Sequence, residues 1–383
     1  MFYPSIDAIP ATDWNTLDAE TNPFVRHEFL AALEHQRCVG EGTGWQPHYL
    51  AVHDDNRIVG ALPLFRKDDS YGEFVFDWSW ASAYERAGMN YYPKLVVAAP
   101  FTPVTGRRLL IRETGARRNT IATLLINAAI ELARDAGMSS LHWLFTNEAD
   151  NRELINHGLL ERLGYQYHWY NRQYRDFEDF LDEFSSKKRK NVHRDRRQVQ
   201  ETGIECEVLY GDDITEQHWN LFYTFYTSTM WRKGNINALT PGFFRELGHR
   251  MPDNVLLVMA KDGSEYIGGA FFMRSQNELF GRYWGCSRAV QGLHFEVCYY
   301  RPIEYCIEQG LARFEAGAQG EHKIDRGFVP TVTRSAHWIA NPAFRAAIED
   351  FLRHERVAVR RQMELTATQT PFKQVPSTVC EST

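Results

Sequence analysis

The sequence has no apolar run approaching the roughly 20 residues that span a bilayer; the longest, around Val255 to Ala260, is far shorter, which excludes an integral membrane protein. Its start, MFYPSIDAIPATDW, lacks a basic segment, an apolar stretch and a small-residue cleavage site, so a cytoplasmic rather than secreted protein is expected. The six cysteines contain no CxxC pair, which excludes a disulfide framework and fits reduced thiols. His294, Cys298 and Cys306 can share a helical face but lack a fourth ligand, so no metal is expected. Positive charge is not in excess either. A net charge of −6 argues against a protein that coats DNA through its overall field, and any polyanion must be met locally.

What is present is a duplication. HYLAVHDDNRIVGALPLFR and VLLVMAKDGSEYIGGAFFMR both read as strand, polar turn, strand. An apolar strand follows in each half (KLVVAAPF; ELFGRYWGC), then a helix (Asn119 to Ala136; Leu293 to Gln309), another strand (SSLHWLF; ARFEAGA) and a His-Trp pair, His168-Trp169 or His337-Trp338. Both pairs read as core strand residues. The first half carries an aromatic insertion, DSYGEFVFDWSWASAYERAGMNYY, suited to packing over a cleft. At 383 residues the chain is long enough for two domains. The expected division is 1–175, a basic helical linker at 176–204, a second domain at 205–362 and a disordered tail at 363–383. The linker reads as helix from Phe177 to Thr202, broken at Ser185-Ser186, and a last helix runs from Ala343 to Met363.

This hairpin–strand–helix–strand order is that of the GNAT acyltransferases. The stretch RYWGCSRAVQGLHFEVCYYRPIEYCIEQGLARFEAGAQGEHKIDRGFVP resembles the Fem-like acyltransferases of peptidoglycan biosynthesis or recognition. APFTPVTGRRLL, QYHWYN, YRDFEDFL and SSKKRKN match the same pattern in order along most of the chain. The resemblance implies an α/β (α+β) fold of two tandem GNAT-like domains, with mixed central sheets flanked by helices. It implies an N-acyltransferase that delivers an acyl or aminoacyl group to an amine of a peptidoglycan precursor or small metabolite. The donor is acyl-CoA or aminoacyl-tRNA, so a muropeptide and tRNA are candidate partners. The helical arm of some Fem proteins has no counterpart here, which weakens the case for tRNA. Neither half carries an intact RxxGxG or RxxGxA acyl-CoA signature: Arg112 to Arg117 ends in Arg where a small residue belongs. A non-catalytic recognition protein binding a nucleotide-linked muropeptide or tRNA is the alternative.

Four segments carry candidate chemistry. Seven of the eleven residues from Lys187 to Arg197 are Lys or Arg; Lys187, Lys188, Arg189, Lys190 and Arg194 form either a phosphate grip or a solvated helix face. At the junction Cys286 to His294, Arg288 and Gly292 stand where GNAT enzymes cradle pyrophosphate. On the following helix Leu293, Val297, Tyr300, Ile303 and Ile307 form a core stripe. A second stripe, His294, Cys298, Arg301, Tyr305 and Glu308, can face the cleft, with His294 and Glu296 candidates for proton transfer or ligand contact. Finally, GAQGEHKIDRGFVP sets Glu321, His322, Lys323 and Arg326 among glycines at a loop tip. There Glu321 or His322 is expected to accept the amine proton and Lys323 or Arg326 to stabilise the oxyanion or a phosphate, with Glu315 acting through a water. Its Arg326-Gly327-Phe328 ending resembles the Lys-x-x-Phe turn of Fem enzymes. An ion pair pinning the loop is the structural alternative.

Overall fold

A computed structural model describes residues 1–17, 22–318 and 320–373. The duplicated hairpins are present and alike in detail. Tyr49–Asp54 pairs antiparallel with Arg57–Leu62, and Val255–Asp262 with Glu265–Arg274. Each breaks register at the equivalent place, between Val52 and His53 and between Ala260 and Lys261. Such a bulge adds one residue and turns the strand end, and its recurrence supports a common origin for the two halves.

The halves do not keep their strands to themselves. The first hairpin lies in a four-stranded sheet with Phe2–Tyr3 and Leu110–Ile111, while the second belongs to a continuous eleven-stranded sheet. Leu160–Tyr170 closes the first half but pairs with Arg313–Glu315 of the second, opposing His168 to Glu315. Val329–Ile339 closes the second half but pairs with Ser140–Leu144 of the first, opposing His337 to His142. The two exchanged strands also pair with each other from Val329↔His168 to His337↔Leu160. Mixed central sheets flanked by helices were expected, and here they are fused across this seam. Both His-Trp pairs sit on the exchanged strands, with His168, Trp169 and His337 buried.

Between the halves, Phe177–Asp182 and Ser186–Gln200 form two helices broken at Ser185, whose amide donates to Pro371 O (2.9 Å). Phe177, Phe180, Leu181, Phe184, Val192 and Val199 face the second-half core. The last helix, Pro342–Ala367, starts where the Asn341 side chain caps Ala343 and Phe344, and it passes the expected boundary at 362. The tail is therefore ordered further than expected. Phe372 packs edge-on against Phe184, and Lys373 N donates to Glu183 O, because the Phe184 ring needs a cover on that side. The remainder of the expected disordered tail, 374–383, lies outside the described residues.

The aromatic insertion is tethered by one buried cation. Lys94, on the strand Lys94–Val97, donates to Ser70 (2.9 Å), Glu73 (2.9 Å) and Asp77 (2.5 Å) and is fully buried with both carboxylates. Burial pushes Glu73 up to about 7 against the pull of Lys94. Tyr91 adds a 2.6 Å hydrogen bond to Asp77. Removing one partner of such a network strands the others without solvent. Lys94→Met is expected to lose ~3–5 kcal/mol of unfolding free energy, read by urea denaturation; a loss below ~1 kcal/mol contradicts the tether.

Candidate active site where two parallel strands separate

Glu278–Cys286 runs parallel to Arg313–Glu315 for only three residue pairs, Glu278↔Arg313 to Phe280↔Glu315. The strands then diverge and a cavity of about 750 Å³ opens between them, lined by Gly281, Arg282, Tyr283 and Trp284 on one strand and Ala316, Gly317 and Ala318 after the other. Gly317 turns the chain away at φ +81. The equivalent place in the first half is bridged. There Gly106 bridges back to Thr146, and the buried Arg108 donates to Val104 O (2.6 Å) and Leu144 O (2.9 Å). The aromatic insertion reaches the open cavity, as its composition suggested: Tyr71, Phe74, Phe76 and Trp78 line it.

The charged loop forms one wall. Glu321–Arg326 is a short 3-10 helix, ended by Gly327 at φ +84, where a Cβ would come within 2.6 Å of the Phe180 ring. Glu321 is exposed. His322 lines the cavity, with Nε2 2.9 Å from the Tyr299 hydroxyl. Lys323 is 1% exposed and lies behind the cavity wall, donating to the carbonyl oxygen of the lining residue Gly317 at 2.6 Å. Burial pushes its ammonium down to about 7, with Arg282 adding to the effect and Cys298 opposing it. Arg326 is committed to structure: it donates to His322 O (2.7 Å) and Asp195 (3.1 Å), and its guanidinium lies 3.3 Å from the Phe295 ring centre. These contacts pin the loop; the cations that line the cavity itself are Lys233 and Arg282, with Lys323 behind Gly317.

Glu315 is buried behind the divergence point. Arg313 approaches it at 3.3 Å but donates its hydrogen bond to Glu278, and His168 Nε2 stands 3.7 Å away. Neither Glu315 oxygen has a hydrogen-bond partner among the described residues. Burial pushes its carboxyl up to about 8, against the pull of Arg313.

The helix after the junction departs from its expected stripes because Glu296–Tyr300 is a π-turn. His294 and Cys298 of the expected cleft stripe line the cavity, and Tyr299 of the π-turn joins them. Other members of that stripe are engaged elsewhere: Arg301 pairs with Glu304, and Tyr305 accepts from Arg274. Burial pushes His294 down to about 4, helped by Arg326 and by His322 where that ring is protonated. Glu296 faces away from the cavity into an ion pair with Arg196 (2.9 Å), which also holds Glu304 (2.6 Å). Cys306 is fully buried. Among the described residues, no cluster of His, Cys, Asp or Glu is arranged to hold a metal.

The expected phosphate contacts scatter. Arg288 pairs with Asp262 at the surface. Gly292, at φ +82, packs against the basic helix, where a Cβ would sit 3.1 Å from Asp195 O. Lys188 pairs with Asp325 and Arg189 with Asp182. Lys187, Lys190 and Arg194 remain exposed on the outer face of that helix. Tyr299 escaped sequence reading because a π-turn is invisible to a 3.6-residue period, and the cavity-facing Lys233, at the end of the helix Glu216–Arg232, carried no local signal.

Residues 5–374 match the FemAB-like family of peptidoglycan biosynthesis/recognition, and the chain belongs to that family. Three solved structures share its fold. A crystal structure of FemX is 11% identical with a TM-score of 0.54, covering 89% of this chain and 98% of that one. L-PGS from Bacillus licheniformis is 12% identical with a TM-score of 0.52, covering 87% and 98%. The C-terminal domain of a putative lysylphosphatidylglycerol synthetase from Agrobacterium fabrum is 9% identical with a TM-score of 0.53, covering 91% and 95%. At such identities the likeness is one of fold. No curated protein matches the sequence. The fold is the mixed α/β arrangement of tandem GNAT-like halves that the sequence implied, and no helix among the described residues is long and apolar enough to cross a membrane.

The Glu315 carboxyl makes stability depend on pH. Its folded pKa, about 8, lies above the ordinary 4.5, so the folded state holds a proton that the unfolded state has lost between those values. This contribution is full below pH 4.5 and is lost as pH rises through 8. Glu315→Gln is expected to flatten that decline by ~2–4 kcal/mol in urea titrations at successive pH values; an unchanged slope assigns the decline to other groups.

Proposed function

We propose that the protein is an N-acyltransferase that moves an acyl or aminoacyl group onto an amine in the second-half cavity. The observation that carries this reading is Lys323, a nearly unexposed amine tuned to about 7 and bonded to Gly317 of the cavity wall where the parallel strands part. A base is most effective when its pKa lies near the working pH. Neutral Lys323 takes the proton of the acceptor ammonium; the freed amine attacks the donor carbonyl, the C–N bond forms, and the ester or thioester bond breaks as the proton shed by the new amide nitrogen passes to the departing oxygen or sulfur, which leaves as a hydroxyl or thiol. His322, held by Tyr299, and His294 are both pushed below the ordinary histidine value by burial, so at neutral pH they bring no charge against an incoming ammonium. The aromatic insertion shields the reacting carbonyl from water.

An aminoacyl-tRNA donor suits the surroundings better than acyl-CoA. The Asp195 backbone packs on Gly292, and the Asp195 carboxylate accepts from Tyr300 and Arg326, so this acidic residue occupies the approach to the junction where a CoA pyrophosphate would rest. The exposed Lys187, Lys190 and Arg194 meet the tRNA backbone instead. The acceptor is the amine of a peptidoglycan precursor, in keeping with the family.

Two measurements test this. Transfer should rise with pH through about 7 in the wild type, and Lys323→Met should lower it by ~10²–10⁴-fold and abolish that rise while the fold persists. A variant with wild-type rate removes Lys323 from the chemistry. Replacing Lys187, Lys190 and Arg194 together by Ser should weaken donor binding and make its salt dependence shallower by about two units in the log–log slope; an unaltered slope returns these residues to the role of a solvated helix face.

A further inference from the structure

The reactive cavity does not end at the insertion. A second chamber of about 280 Å³ adjoins it, and the two share Phe74, Phe76 and Ala318 as a common wall. This chamber runs along the exchanged strands, beneath the insertion and beside the last helix. Two of its aromatic residues are held in left-handed backbone, Phe74 at φ +59 and Phe145 at φ +53. That conformation is costly for a bulky L-residue and concentrates at ligand sites.

The charges of the second chamber are unequal in their engagement. Arg162 is fully used, holding Glu355 with two hydrogen bonds (2.7 and 2.9 Å) and donating to Phe76 O (2.7 Å). That ion pair cancels itself. Arg334 also lines the chamber, half-buried, and among the described residues its guanidinium has no hydrogen bond or ion pair. The chamber thus presents one uncompensated positive charge beside the neutral Thr333 and Ser335. A guanidinium is a planar fork that matches a carboxylate, and a single net charge suits a monoanion better than a phosphate ester of higher charge.

We infer that the second chamber binds the C-terminal carboxylate of a peptide-like acceptor through Arg334, while the acceptor's amine lies in the first chamber beside Lys323. This rests on the proposed transfer reaction for the role of the first chamber, and its test reads binding rather than turnover. A short lysine-bearing peptide is titrated into the full chain by calorimetry, once as the free acid and once as the C-terminal amide. The free acid is expected to bind about tenfold or more tightly, as one charge-assisted pair supplies. Arg334→Gln should erase that preference with an unchanged unfolding midpoint, whereas Lys323→Met should keep it although transfer is lost. Equal affinity for the two peptides, binding of neither, or a preference that survives in Arg334→Gln overturns the assignment. A preference found in a wild-type protein that transfers nothing upholds the carboxylate site and discards the transferase reading alone.

Discussion

The exchange of closing strands between the halves is the constraint on which the molecule depends. Because Leu160–Tyr170 pairs with Arg313–Glu315, the short second-half strand is held on one side by the first half and on the other by Glu278–Cys286 for only three residue pairs. It cannot follow its parallel neighbour further without abandoning the exchanged strand. The separation after Phe280 is thus a property of the sheet. It leaves backbone and side chains of both strands facing an opening that the insertion roofs with aromatic rings. The first half shows another outcome of the same topology, with the strands tied together by Arg108 and the return of Gly106 to Thr146.

Burial then sets the chemistry around this opening. Glu315 and Lys323 are both buried; Arg313, 3.3 Å from Glu315, only partly offsets the lost hydration of the carboxyl, and Lys323 has no carboxylate beside it among the described residues. The carboxyl moves up and the ammonium down, so both lean toward neutrality near pH 7. The contrast with Lys94 is informative. That lysine is buried more completely yet stays charged because Glu73 and Asp77 pair with it. One buried lysine therefore fastens the lid, and the other is free to exchange a proton.

Much of the fold was legible in the sequence. The repeated hairpins, the order of elements, the break at Ser185 and the reach of the aromatic insertion all follow from patterns of apolar spacing and turn residues. The exchange of strands was not legible, since pairing partners far apart in sequence leave no local signal. The loop from Gly317 to Pro330 stood out through its glycines and charges, but the sequence could not rank its members. Burial separates Lys323 from the exposed Glu321, and the pairing of Arg326 with Asp195 separates Lys323 from Arg326. The basic run divided in the same way, with Lys188, Arg189 and Arg196 drawn into ion pairs by acidic neighbours that no linear reading places beside them. Glu296 was misassigned because the π-turn rotates it away from the cavity.

The central claim is that Lys323 is an amine poised near neutrality behind Gly317, where the two parallel strands diverge. The direct measurement is an NMR titration of lysine side chains in the intact protein, with Lys323→Met identifying the resonance. The account predicts one lysine titrating near 7, displaced when the acceptor peptide binds. Titration of every lysine near the ordinary value of about 10.4 would contradict it.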